Sequence, residues 1–237
     1  MSKKLLVIGA HSADFVWRAA GTIALITSQG GSATVIALSY GERGESGDLW
    51  KESGQTIENV KRIRHEQASA AAAIIGAEFH CFDLGDYPLN IGEAAMQRLV
   101  DLFREIAPHI VLTHTPMYPF NPDHPAASQA VQQARLLAAG AGVASAFENI
   151  TPPDLYYFEP HQPELCEFTP NTFVDITPVI EQKIKAMETM QAQSYLHTYY
   201  LELAARRGNH ARRISGLLDI KYSEALHRTL PWVVKTL

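Results

Sequence analysis

From residue 4 to about residue 140 the chain alternates short apolar runs with stretches of helical periodicity, and that alternation leaves few folds open. Residues 5–10 are continuously apolar, as a strand buried on both faces must be. After His11 the period changes. Val16, Ala19, Ala20 and Ile23 fall at i, i+3, i+4 and i+7 and form one helix face, which Gly30 and Gly31 close. Residues 34–39 are the next strand, followed by a glycine-rich loop over 41–54 and an alanine-rich helix over 57–75. Further strands are expected over 79–84, 110–113, 155–158 and 173–176, and further helices over 92–106, 124–139, 178–193 and 199–213. This order predicts a Rossmann-like α/β fold, a mostly parallel sheet with helices on both faces. The chain reads as a single domain over 1–237, with a core over about 4–180 and a helical extension over about 181–237. Sheets of this kind collect functional groups at the carboxyl ends of their strands. His11, the stretch 42–46 and the stretch 114–124 all follow strands, so three loops are set to converge.

Bulk properties narrow the partners. A net charge of −5 over 237 residues carries no electrostatic footprint for nucleic acid. No apolar run approaches the roughly 20 residues that a membrane-spanning helix needs. The apolar start is too short for a signal peptide and runs straight into His11 and Asp14, so it reads as a strand. Cys81 and Cys166 lie far apart without a Cys-x-x-Cys spacing, which points to a reducing cytoplasm rather than a disulfide framework. Arg206, Arg207, Arg212, Arg213, Lys221 and Arg228 gather late in the chain and read as a solvated helix face.

Chemistry gathers at three points. His11 and Asp14 stand three apart at a strand-to-helix turn, and His124 precedes another helix in Asn121-Pro122-Asp123-His124. Two imidazoles and one carboxylate are a normal catalytic zinc set, with a position left open for water. Taken alone, Asp14 could equally cap the helix it begins. Glu45 adds a carboxylate to the loop after the second strand, and prolines flank His161 in Phe158-Glu159-Pro160-His161-Gln162-Pro163 and restrict its backbone. His65, His80, His109, His114, His197, His210 and His227 lie in no motif and read as structural or exposed.

The motifs occur in a specific order. Ala10-His11-x-x-Asp14 comes before a helix with Gly21-Thr22-Ile23-Ala24, then Gly41-Glu42-x-Gly44-Glu45, then Arg64-x-Glu66-Gln67 in an alanine-rich helix, then Pro122-Asp123-His124. In that order they resemble the PIG-L or LmbE-like deacetylase family over about residues 4–180. The resemblance implies that His11, Asp14 and His124 hold a metal, Zn²⁺ by family habit, although Fe²⁺ and Co²⁺ also suit such ligands. Two family positions differ here. Where the family has the aspartate that activates water, this chain has Ala13. Where it has the histidine that opens the last motif, this chain has Asn121, which cannot donate a proton as an imidazolium does. General acid–base groups contribute about 10²–10⁴-fold each, so amide hydrolysis should suffer.

The segments AHSADFVWRAAGTIA, SYGERGES, DYPL, NPDHP, FEPHQPE and CEFTPNTFVDIT resemble one branch more closely. That branch is the 4-oxalomesaconate (4-carboxy-2-hydroxymuconate) hydratases of gallate and protocatechuate breakdown, where alanine at position 13 is usual. It implies Glu45 as the group that activates water and His161 as the catalytic acid. The implied substrate is a small polycarboxylate. Arg18, Arg43 and Arg64 are therefore expected to bind its carboxylates, as arginine forks do, with Asn121 beside them. Relatives in the family commonly form homo-oligomers. Two other readings remain open at this level: an N-deacetylase with Glu45 as its base, and a catalytically silent metal-binding relative.

Overall fold

The computed structural model describes residues 2–234 and 236. Its seven strands are β1 Lys4–Gly9, β2 Ser32–Ala37, β3 Glu78–Cys81, β4 Ile110–Thr113, β5 Asp154–Phe158, β6 Thr172–Asp175 and β7 Ser223–Arg228. Six helices accompany them: α1 Asp14–Ser28, α2 Ile57–Ile74, α3 Glu93–Ile106, α4 Asp123–Ala139, α5 Ile180–Glu188 and α6 Leu196–Ser215. The strands form one sheet in the order β3-β2-β1-β4-β5-β7-β6. Pairing is parallel from β3 through β5. Only β7 runs antiparallel, wedged between β5 and β6.

The period of two along β1 divides the core. Leu5 and Val7 face α1 and join a cluster with Ala19, Ala20 and Ile23, while Leu6 and Ile8 face α3 and α4 with Leu99, Phe103 and Val131. The continuous apolar run in β1 thus feeds two layers at once. β1 is flanked by β2 on one side and β4 on the other, so chain order reverses there. A crevice opens at such a reversal, at the carboxyl ends of the strands, where ligands bind in open α/β sheets.

Two differences from the sequence reading affect the site. The helix expected over 178–193 stops at Glu188 and gives way to a 3-10 turn, Gln191–Gln193. Thr189 Oγ1 donates to the Ala186 carbonyl at 2.8 Å, the local competition that often ends a helix. The second difference is β7, which lies within the segment expected to be helical. Ser223-Glu224-Ala225-Leu226 has no strong strand preference of its own. It is extended because β5 and β6 present open ladders on either side, a tertiary effect that local propensity does not encode. No described helix is long and apolar enough to cross a membrane.

Candidate metal centre

β1 ends at Gly9 and α1 begins at Asp14, which leaves His11 in the turn between them. Asp14 Oδ2 accepts the His11 backbone N–H at 2.8 Å and closes that turn. Its other oxygen, Oδ1, stands 3.6 Å from His124 Nε2, which enters from the first turn of α4. Ligand atoms of His11, Asp14 and His124 all lie within 4.8 Å of one another. His11 Nδ1 and His124 Nε2 are buried and have no hydrogen-bond partner among the described residues. Leaving a polar atom so costs about 1–3 kcal/mol. Two orphaned imidazole nitrogens beside a buried carboxylate therefore fit a divalent cation.

The surrounding groups orient these ligands. His11 Nε2 lies 3.1 Å from Asp123 Oδ2, the carboxylate–imidazole pairing that fixes metal-binding histidines. Asp123 in turn accepts the N–H groups of Tyr87 at 3.0 Å and Leu89 at 2.8 Å. Asp86 also stands near His11, but its carboxylate accepts the backbone N–H groups of Arg43 and Gly44, so it supports the loop. His114 Nε2 lies 2.9 Å from Asp14 Oδ2, and its ring stacks on His124 with centroids 3.9 Å apart. His114 is therefore part of the centre. Its sequence signal was its position, directly after β4.

Charge is distributed unevenly here. Burial disfavours a charged His11, but the bond to Asp123 and the nearby Glu45 and Asp14 carboxylates outweigh it and raise the imidazole to about 9. Burial opposes the charge on Asp14 as well, yet His114 and His124 hold its carboxyl well below the usual range. Burial, then His114, keeps His124 well below its ordinary value. A cation entering this set displaces protons from imidazole nitrogen, so its affinity depends on pH.

Glu45 reaches the centre on the loop after β2. Gly41 sits at φ 69°, and a Cβ there would come within 2.9 Å of Glu45 Cβ and 3.1 Å of His11 Cβ. Glycine alone lets the loop turn and approach so closely. Glu45 Oε1 stands 3.8 Å from His11 Nδ1 and 3.9 Å from His124 Nε2. That oxygen accepts Asn121 Nδ2 at 2.8 Å, and Oε2 accepts Gln193 Nε2 at 2.7 Å. Gln193, from the 3-10 turn before α6, stands in no sequence motif and was not anticipated.

His161 follows β5. Its Nδ1 lies 3.1 Å from the Tyr200 hydroxyl, and the Tyr199 hydroxyl donates to its carbonyl. Burial, then the positive Arg18, pushes the imidazole down to about 3. The three arginines separate. Arg18 is buried beside Asp14, with Nε 3.6 Å from Oδ1, and donates to the Glu159 carbonyl at 3.1 Å and the Tyr118 hydroxyl at 3.4 Å. Arg64 is 1% exposed and donates to the Tyr40 carbonyl at 3.2 Å and to Gln193 Oε1 at 3.1 Å; its Nη1 has no partner among the described residues. Arg43 is exposed and donates to the Asp86 carbonyl at 2.7 Å, in the loop's outer layer.

The chain is similar to known proteins in sequence and in fold. The family model described as GlcNAc-PI de-N-acetylase, PIG-L, matches residues 6–135. A 4-oxalmesaconate hydratase of Pseudomonas putida is 44% identical over 99% of this chain and 92% of its own. A diacetylchitobiose deacetylase of Thermococcus kodakarensis is 30% identical over 81% of this chain and 70% of its own. Among solved structures, the 4-carboxy-2-hydroxymuconate hydratase from Pseudomonas putida KT2440 superposes with a TM-score of 0.96 at 44% identity, covering 99% of both chains. By the matched family model and these relatives, the chain belongs to the PIG-L family.

Proposed function

We propose that this protein hydrates 4-oxalomesaconate to 4-carboxy-4-hydroxy-2-oxoadipate, a step of gallate and protocatechuate breakdown. The observation that carries the reading is the pairing of Ala13 with Glu45. Position 13 offers no proton acceptor, and a carboxylate from another loop stands 3.8 Å from His11 Nδ1 and 3.9 Å from His124 Nε2. The likeness to the Pseudomonas putida hydratase extends over the full chain, whereas the deacetylase relative is less similar and less fully covered.

In this reading His11, Asp14 and His124 hold Zn²⁺. When bound, such an ion supplies Lewis acidity, which makes water a better acid near neutral pH. Glu45 takes the proton from the attacking water. The water oxygen bonds to the fully substituted alkene carbon, and the neighbouring CH carbon, which also carries a carboxylate, gains a proton from His161. In the free chain His161 is neutral at pH 7, because burial and Arg18 hold it down. An anionic substrate brings the countercharge that an imidazolium needs, so proton uptake by His161 accompanies binding. Arg18 and Arg64 supply the positive charge for the carboxylates; Arg64 Nη1 has no partner among the described residues, while Arg18 Nε stands 3.6 Å from Asp14 Oδ1. Arg43 and Asn121 complete the binding set, Arg43 from the outer loop. Cys81 and Cys166 are both free thiols, which suits a cytoplasmic enzyme.

The test is an ultraviolet assay of the zinc-loaded protein on 4-carboxy-2-hydroxymuconate, beside a chelated control. Metal-dependent loss of the conjugated chromophore is the expected result. No change with metal present, together with release of acetate from an amino-sugar amide, would replace the hydratase with a deacetylase.

A further inference from the structure

We propose that Gln193 is a positioning residue which, with Asn121, fixes the orientation of the Glu45 carboxylate beside His11 and His124 for proton abstraction. The inference rests on the assignment of Glu45 as the base. Its ground is a closed set of hydrogen bonds. Each Glu45 oxygen accepts one amide N–H, Oε1 from Asn121 and Oε2 from Gln193. Neither amide is free to turn over. Gln193 Oε1 accepts Arg64 Nη2 at 3.1 Å and Trp17 Nε1 at 3.4 Å. Guanidinium and indole only donate, so the amide oxygen must face them and the NH₂ must face Glu45. Asn121 Oδ1 accepts the Asp123 N–H at 3.0 Å, which orients that amide in the same way. Gln193 is 2% exposed, so water does not relieve a flipped amide.

A base acts only where its acceptor oxygen stands within reach of the proton it takes. With one donor on each oxygen, the Glu45 carboxylate is held in place beside His11 and His124. Arg64 and Trp17 thereby act on Glu45 through Gln193, from α2 and α1, at a distance no sequence motif spans.

The test compares Gln193→Glu and Gln193→Met with Glu45→Gln, reading kcat, KM, thermal midpoint and bound zinc. Gln193→Glu keeps an acceptor for Arg64 and Trp17 but sets it against Glu45, and two facing carboxylates retain a proton between them. We expect kcat to fall about 10²-fold with KM, midpoint and zinc content nearly unchanged, the pattern of a contact that matters only in the transition state. Gln193→Met, similar in size and without hydrogen bonds, loses kcat less and stability more. Wild-type kcat in Gln193→Glu, or a loss that merely follows its zinc content or midpoint, overturns the proposal. Wild-type kcat in Glu45→Gln instead overturns the base assignment beneath it, and the two failures are distinct.

Discussion

Ala13 is 2% exposed, and its backbone carbonyl accepts the N–H groups of Val16 and Trp17 at the start of α1. A carboxylate introduced there would join Asp14, Glu45 and Asp123 around one pair of imidazoles, and like charges in such a site raise each other's proton affinity. Ala13→Asp should therefore slow hydration about tenfold or more without producing deacetylation, because Asn121 still stands where the deacetylases have a histidine. Parallel assays on the muconate and on an N-acetylated sugar test this, and a robust gain on the sugar contradicts it. His161 gives a second prediction, of stability against pH. Folding lowers its affinity for protons from the ordinary 6.5 to about 3, so below about 6.5 the unfolded chain takes up a proton that the folded chain refuses. The linked stability is complete above that range and is lost as pH falls through it, by at most about 1.4 kcal/mol per pH unit. Urea unfolding of the wild type and His161→Gln from pH 7 to pH 4 should show the wild type losing stability more steeply, and parallel curves would refute the shift.

Helix α6 shows how one residue position sets the place of an element. A Cβ on Gly208 would lie 2.1 Å from the Lys221 carbonyl oxygen, so the helix rides directly on the backbone that leads into β7. Alanine is the better helix former by about 1 kcal/mol, but a clash with main chain cannot be relieved by a rotamer and costs about 1–3 kcal/mol. The clash should win. Gly208→Ala is expected to lower unfolding stability, and a stabilised variant would show that the segment at 221–222 gives way. Elements of the first half were legible in sequence because parallel βα units write their own pattern. The run at 5–10 and the face through Val16 and Ile23 need no distant partner to be read. β7 was not legible, since its extended form comes from β5 and β6. The site divides in the same way. His11, Asp14, Glu45 and His124 stand in short motifs beside strand ends, whereas Gln193 and Tyr200 arrive from the region of α6 and meet Glu45 and His161 only in the folded chain. A periodicity reading has no access to contacts of that separation.

At the scale of the whole molecule, one buried ion pair joins the ends of the chain. Lys183 Nζ on α5 donates to Glu224 Oε1 on β7 at 2.6 Å and to the Trp17 carbonyl on α1 at 2.9 Å. Glu224 also accepts Gly21 N–H at 2.9 Å, Thr22 N–H at 2.7 Å and Thr22 Oγ1 at 2.6 Å. The late strand is thus tied to the helix that begins with Asp14, and the antiparallel insertion of β7 is coupled to the parallel half of the sheet. Removing one partner of a buried pair costs about 3–5 kcal/mol, because the other charge is left without its counterpart. In Lys183→Met the Glu224 carboxylate keeps its three α1 donors, so the loss should fall at the lower end, about 3 kcal/mol. Gly21 and Thr22 lie about two turns along α1 from Asp14, and the pair makes no hydrogen bond to His11 or His124 among the described residues. Affinity for a divalent cation at His11, Asp14 and His124 should therefore change little while the denaturation midpoint drops. If the two ends form one cooperative unit, Lys183→Met still unfolds in a single transition by fluorescence and by circular dichroism. Separate transitions by the two probes would mean that β7 and α6 come away while the remaining α/β layers stay folded.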